Sequence, residues 1–113
     1  MQGIVGKKKV ARIYVDSLDK VDGDALWERI VFHAKEYGIA GATVFKGIAG
    51  MGAHATVHSF SLLATSQELP VIIELIDEES KIRDFLETID RMIEEGLVTL
   101  SDVEVIRYKH TKA

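Results

Sequence analysis

The sequence predicts an α+β fold in which two helices cover one face of a four-stranded antiparallel sheet. Three observations predict it. Two segments repeat apolar residues at helical spacing, four segments have the alternating or continuous apolar pattern of strands, and their order is β-α-β-β-α-β. That order is the split βαβ, or ferredoxin-like, arrangement, in which both helices lie on the same side of the sheet.

The first strand and the first helix follow from hydrophobic periodicity. Residues 1–8 lack such periodicity and are expected to form a loose arm, whereas residues 9–16 alternate in polarity as a half-buried strand does. Apolar side chains then recur every three or four positions, which predicts a helix capped by Asp22 or Asp24. Gly38 is expected to end that helix, because glycine readily adopts the left-handed conformation of a C-cap.

The second half of the chain supplies three strands and one helix. Residues 41–48 predict a strand that enters a glycine-rich segment, and residues 70–77 predict a central strand with a continuous apolar run. Residues 78–95 have helical spacing, and the last clear strand is predicted at 103–108, with residues 97–100 as a further candidate. Several strands are apolar on both faces, so the open face of the sheet is expected to be buried by oligomerisation.

Composition narrows the classes of function. The chain has 113 residues, which fits one domain, and 47% of them are hydrophobic, which is typical of a globular protein. Cysteine is absent, which excludes disulfides, thiolate metal sites and cysteine nucleophiles. A net charge of −4 argues against a nucleic-acid partner. Without an apolar signal segment, the protein is expected to be cytoplasmic.

The glycine-rich segment 41–52, GATVFKGIAGMG, is the clearest candidate binding element. An apolar strand enters three closely spaced glycines, Gly47, Gly50 and Gly52. Glycine allows positive φ and close approach of backbone N–H groups, and successive N–H groups can bind an anion. Their spacing fits neither a dinucleotide fingerprint nor a P-loop. Ligand contact and ordinary turn geometry are therefore the two alternatives.

Charged residues in or beside apolar strands are further candidates. Arg107 and Lys109 alternate in the predicted last strand, so that one phosphate could contact both; the alternative is a solvated strand edge. Glu74 lies within an apolar strand, either as a buried acid of a site or as the partner of an arginine such as Arg12. No nucleophile elbow or metalloprotease motif occurs, so the chain is not expected to be an enzyme.

Three patches of the chain together resemble the PII signalling superfamily, and more closely its small PII-like branch described only as a domain of unknown function. They are GATVFKGIAGMG at 41–52, PVIIELIDEESKIRDFLETID at 70–90 and VEVIRYK at 103–109. The resemblance covers about residues 9–109 and implies a homotrimer with an adenine-nucleotide site between neighbouring subunits, the basic pair coming from the neighbour. The site residues that it implies are Thr43, Gly47, Gly50, Gly52, Arg107 and Lys109.

One departure from that family concerns the ligand. PII proteins carry basic phosphate contacts after the second helix, in a pattern like TGKIGDGK, whereas this chain has MIEEGLVTL with Glu94 and Glu95. Two carboxylates would repel a triphosphate, so AMP or ADP is expected in preference to ATP. The loop at 47–61 is expected to engage a partner, by family analogy a membrane transporter or channel.

Two other functions remain open from the sequence. A trimeric metal-binding protein similar to the CutA group, which shares the fold, would use His54 and His58, because imidazole suits Zn, Cu or Ni. The same histidines would otherwise be solvated loop residues. The other alternative is a structural oligomer without a small ligand.

Overall fold

A computed structural model describes residues 4–51, 57–59 and 68–109, and for residues 57–59 it describes the backbone alone. Within these residues the elements are β1 (Gly6–Asp16), β2 (Lys20–Val21), β3 (Asp24–Ala25), α1 (Leu26–Tyr37), β4 (Gly41–Lys46), β5 (Ala49–Met51), β6 (Val57–Ser59), β7 (Pro70–Asp77), α2 (Glu79–Ile89) and β8 (Leu97–Val105). A 3-10 turn, Asp90–Met92, follows α2 directly.

The main sheet has four strands in the order β4-β7-β1-β8, and every neighbouring pair is antiparallel. The short pairs β2–β3 and β5–β6 form separate two-stranded ribbons. Without these ribbons, the strand order is that of the split βαβ arrangement, and the predicted fold class is confirmed. Neither helix in the described part of the chain is long and apolar enough to cross a membrane.

The hydrophobic core lies between the two helices and one face of the sheet. Strand side chains alternate between faces, and the alternate residues of β1 and β7 are the buried ones. Burial of each large core side chain stabilises the fold by roughly 1.5–3 kcal/mol. The buried core residues are Ala11, Ile13, Val15, Leu26, Ile30, Ala34, Val71, Ile73, Leu75, Ile82, Phe85 and Ile89.

The N-terminal segment is more ordered than the sequence predicted. Strand β1 begins at Gly6, and Ile4 is only 3% exposed, so the expectation of a loose arm through residue 8 was wrong for these positions. Lys8 pairs in register with Val103 of β8. The hydrogen-bond partners of this segment come from the far end of the chain, and hydrophobic periodicity within one strand does not reveal them.

The second helix is shorter than predicted, and the last strand begins earlier. Helix α2 ends at Ile89 rather than near residue 95, and β8 begins at Leu97. A Cβ on Gly96 would lie 2.8 Å from the carbonyl oxygen of Tyr14. The chain therefore comes into close contact with β1 at Gly96, and it has already left the helix before that point.

The start of α1 also differs from the prediction, whereas its end agrees. Gly38 is the C-cap with φ 90°, as predicted. The N-cap is Ala25, which makes no side-chain capping bond, so neither aspartate caps the helix. Asp22 (φ 50°) and Gly23 (φ 85°) instead connect β2 to β3, because an Asp-Gly pair suits a tight hairpin turn. Asp24 accepts a hydrogen bond from Arg29 at 2.8 Å.

The face of the sheet opposite the helices is apolar around one ion pair. Thr43 of β4 lies opposite Glu74, which lies opposite Arg12 of β1. The neighbouring row across the four strands is Phe45, Ile72, Tyr14 and Leu97. Phe45 is 49% exposed and Leu97 57% exposed, which leaves a large apolar surface on this open face.

Candidate functional site

The closely spaced glycines of segment 41–52 begin where β4 ends. Gly47 follows Lys46, and its N–H donates to the carbonyl oxygen of Pro70 at 2.7 Å. A Cβ on Gly47 would lie 2.7 Å from Cγ of Pro70, and a Cβ on Gly50 would lie 2.8 Å from the same atom. Both glycines therefore allow the backbone to pass close to the proline ring.

This geometry corrects the expected reason for glycine at these positions. Positive φ occurs among the described glycines at positions 6, 23 and 38, but not at Gly47 or Gly50. The N–H of Gly47 is already bonded to Pro70, so it is not available to an anion. Gly50 lies in β5 opposite His58 of β6. Gly52 and His54 lie outside the described residues.

A pocket that sequence analysis did not identify opens beside this bend. Its volume is about 280 Å³, and an aromatic residue, Trp27, and a basic residue, Lys46, are among those that line it. The signal that the sequence offered for this pocket was that Lys46 directly precedes Gly47. The pocket is lined by Ser17, Leu18, Trp27, Val44, Lys46 and Val71.

Carboxylates surround the same end of the sheet. Asp16 pairs in register with Pro70, and its N–H donates to Oδ2 of Asp19 at 3.0 Å. Burial raises the pKa of Asp19, and the nearby charges of Asp16 and Glu95 raise it further against the lowering effect of that hydrogen bond. The charge of Glu95 therefore influences Asp19, which lies at the same end of the sheet as Gly47. Glu95 is one of the two carboxylates that the sequence analysis expects to repel a triphosphate.

Thr43 lies on the open face of the sheet beside a paired charge. The Nε atom of Arg12 donates to Oε2 of Glu74 at 3.1 Å, and Nη1 of the same arginine lies 3.4 Å from Oγ of Ser101. The prediction that Glu74 pairs with Arg12 is confirmed. Thr43, opposite Glu74, is exposed and offers a hydroxyl group for hydrogen bonding.

The predicted basic pair follows the last strand rather than lying within it. Strand β8 ends at Val105, so the prediction of a strand to residue 108 was wrong, and with it the placement of Arg107 and Lys109 on one strand face. Both side chains are exposed. The Tyr108 hydroxyl between them donates to the carbonyl oxygen of Ala40 at 3.0 Å, which brings this segment to the beginning of β4.

Four of the predicted site residues therefore fall into two groups at opposite ends of β4, and Thr43 lies within the strand. Gly47 and Gly50 follow the end of the strand, whereas Arg107 and Lys109 lie near its beginning. Six residues of extended chain separate the two ends by about 20 Å. At this separation, one phosphate does not reach both groups within a single protomer.

A metal centre is a separate candidate that the sequence left open. Among the described residues, no group of three or more His, Asp or Glu side chains is arranged to hold a metal ion. His54 lies outside those residues, and only the backbone of His58 is described. The histidine site thus remains a prediction.

Most of the chain is similar in sequence to one family of proteins. The model of the DUF190 family, described as "Uncharacterized ACR", matches residues 8–105. A UPF0166 protein of Aquifex aeolicus is 43% identical over 102 residues, which span 90% of this chain and 96% of that protein. A UPF0166 protein of Methanocaldococcus jannaschii is 37% identical over 102 residues, which span 89% of this chain and 94% of that protein.

The fold is similar to that of a solved PII-like protein. CPII of Thiomonas intermedia K12 is a nitrogen regulatory PII-like protein whose structure was solved with ADP, AMP and bicarbonate. It superposes with a TM-score of 0.68 at 20% sequence identity, over 89% of this chain and 90% of that chain. The resemblance to PII-like proteins that the sequence indicated is confirmed at the level of the fold.

Proposed function

Because the chain belongs to the DUF190 family and has the fold of PII-like proteins, we propose that it is a PII-like regulatory protein that binds an adenine nucleotide. The observation that carries this proposal is the match of nearly nine-tenths of the chain to a PII-like protein solved with ADP and AMP. Regulation rather than catalysis is proposed, since the relatives are PII-like or UPF0166 proteins.

The proposed site lies between subunits of a homotrimer. Thr43, Gly47, Gly50 and Gly52 would come from one subunit, and Arg107 and Lys109 from its neighbour. The separation of Gly47 and Gly50 from Arg107 and Lys109 by about 20 Å within one protomer supports this arrangement. The exposed apolar residues of the open sheet face also support assembly, since a partner copy would remove them from water.

The proposed ligand is AMP or ADP in preference to ATP. The Gly47 N–H is bonded to Pro70, which pairs in register with Asp16, and the charges of Asp16 and Glu95 act on Asp19. Each added phosphate charge would increase repulsion from these three carboxylates, whereas Lys46 and the neighbouring subunit's Arg107 and Lys109 supply only three compensating cations. This balance favours a ligand with one or two phosphates.

The proposed partner surface is the loop that begins at Gly47. Ile48 is 82% exposed and Met51 68% exposed, which is unusual for apolar side chains and suits contact with another protein. A nucleotide that restrains residues 47–61 beyond their contact with Pro70 would lower the entropy cost of partner binding. By family analogy, we propose a membrane transporter or channel as the partner.

Thermal melts with AMP, ADP, ATP and a cyclic nucleotide, each with and without magnesium, test the proposal. A ligand at 100 times its Kd stabilises the protein by about 2.7 kcal/mol, so AMP or ADP is expected to raise Tm in a saturable way. Arg107→Ala is expected to weaken that nucleotide about tenfold or more, because a charged phosphate contact is lost. Arg91→Ala, which removes the same charge from an exposed position after α2, is the matched control.

Each result of these melts has a distinct meaning. A clear preference for ATP would overturn the proposed phosphate preference while leaving nucleotide binding intact. No stabilisation by any nucleotide would overturn the proposed function. Divalent metals would then be titrated against the wild type and a His54→Ala/His58→Ala variant, and metal affinity lost only in the variant would establish the CutA-like alternative.

A further inference from the structure

We propose that Tyr108 is a positioning residue that holds Arg107 and Lys109 in place for the ligand's phosphate. The inference rests on the proposed nucleotide site and adds to it a residue that does not itself contact the ligand. It explains how two exposed cations beyond the end of β8 acquire a defined location.

The Tyr108 hydroxyl ties the end of the chain to the opposite edge of the sheet. Strand β8, which precedes Tyr108, is one edge, and β4, which begins directly after Ala40, is the other. The hydroxyl donates to the carbonyl oxygen of Ala40 at 3.0 Å across 68 sequence positions. Tyr108 is half-buried, whereas Arg107 and Lys109 on either side of it are exposed. The tyrosine is therefore the anchored residue of this segment.

The acceptor of this bond is itself held in place by a buried carboxylate. The N–H of Ala40 donates to Oδ2 of Asp77 at 2.8 Å, and the N–H of Glu78 donates to Oδ1 at 2.7 Å. Asp77 is only 4% exposed. Lys81 donates to the carbonyl oxygen of Gly38 at 2.7 Å and lies 3.7 Å from the same aspartate. Tyr108 thus binds a fixed point where α1, β7 and α2 meet.

An anchored tyrosine would increase affinity without touching the nucleotide. Long cationic side chains on a free segment lose backbone and rotamer entropy when they bind a phosphate. Fixing Tyr108 removes part of that backbone cost in advance, since the residues on either side can then move only within a limited range. Loss of the hydroxyl would restore the cost while leaving both cations in the chain.

Tyr108→Phe tests this inference by titration with AMP and ADP. The variant is expected to bind about 3- to 10-fold more weakly, the change that one net hydrogen bond gives, with little change in the Tm of the free protein. Tyr37→Phe, whose ring packs against Phe85, is the matched control and is expected to bind normally.

In an Arg107→Ala/Lys109→Ala background, Tyr108→Phe should cause no further loss of affinity, because the residues that it positions are gone. An equal loss in that background would overturn a positioning role.

Limited trypsin digestion gives a readout that does not depend on a ligand. Trypsin cleaves after Arg107 and Lys109, and both sites are expected to be cut several-fold faster in Tyr108→Phe, because the segment loses the hydrogen bond to Ala40. Cleavage after Arg91 is the internal control and should not change. Unchanged cleavage at 107 and 109 would overturn the inference even if the protein binds nucleotide. Faster cleavage in a protein that binds no nucleotide would support the anchor and overturn the proposed function alone.

Discussion

At the scale of single residues, the carboxylate of Asp19 is expected to make the stability of the protein depend on pH. Asp19 is half-buried in the loop that follows β1, and its carboxylate accepts the N–H of Asp16 at 3.0 Å. Burial is the main cause of its raised pKa, and the charges of Asp16 and Glu95 add to it. A raised pKa means that ionised Asp19 is less favourable in the folded than in the unfolded chain.

Asp19→Asn is expected to stabilise the protein at neutral pH. The amide keeps an oxygen acceptor for Asp16 and removes the buried charge, so Tm should rise by about 1–2 °C at pH 7, a small effect at a half-exposed site. The difference from wild type should shrink as pH falls through the raised pKa of the folded state, because Asp19 of the wild type then becomes neutral too. Thermal melts between pH 4 and pH 7 would measure it, and a difference that grew toward low pH would contradict the account. Asp84→Asn, at an exposed position of α2, is the control and should not change Tm.

At the scale of elements, the contact between Pro70 and the glycines sets the direction in which the chain leaves the sheet. Gly47 continues the pairing of β4 with β7 through its bond to the Pro70 carbonyl, and Gly50 of β5 packs on the same ring. The loop therefore starts from a closely packed contact on the central part of the fold. Its first residues are fixed by β7, whatever the rest of the loop binds.

Gly47→Ala is expected to destabilise the protein by about 1–3 kcal/mol, because its Cβ would overlap the Pro70 ring. Pro70→Ala should remove most of that penalty in the double variant, since the remaining Pro70 atoms lie 3.4 Å or more from the new Cβ. Chemical denaturation of the four proteins gives the coupling energy. Gly41→Ala, at the beginning of β4, is the control, because nothing lies within 4 Å of a Cβ at that position. Additive effects of Gly47→Ala and Pro70→Ala would contradict the packing explanation.

At the scale of the whole molecule, the sheet has one face covered by helices and one face that is open in a single protomer. The open face carries apolar side chains from all four strands around the Arg12–Glu74 ion pair. An ion pair surrounded by apolar groups is typical of a protein–protein interface, where it fixes the relative orientation of the two partners. Assembly of three copies would bury this face and complete the proposed nucleotide site.

Phe45→Glu is expected to convert the proposed trimer into smaller species, because a charge would be buried without a partner on the open face. Light scattering coupled to size-exclusion chromatography would show the mass of three chains for wild type and a lower mass for the variant. Ser80→Glu adds the same charge to the exposed start of α2 and should remain trimeric. A monomeric wild type would contradict the proposed assembly.

The sequence by itself predicted the order of the elements, the fold class and most of the buried faces. Three features depend only on residues that are neighbours in the chain, so the sequence was enough to recognise them. They are the alternation in β1, the apolar run of residues 70–77 and the end of α1 at Gly38. Of the candidate site, the residue types followed from the sequence and from family resemblance, and the Arg12–Glu74 pair was one of the two alternatives that the sequence left for Glu74.

Only the tertiary structure decided the extent of the elements and the separation of the candidate site residues. Strand β1 starts at Gly6 because β8 supplies its partners, and Gly47 is glycine because the Pro70 ring lies against it. The basic segment is anchored by Tyr108 at the end of β4 away from the glycines. These facts depend on contacts between residues far apart in the chain, and local periodicity contains no information about such contacts.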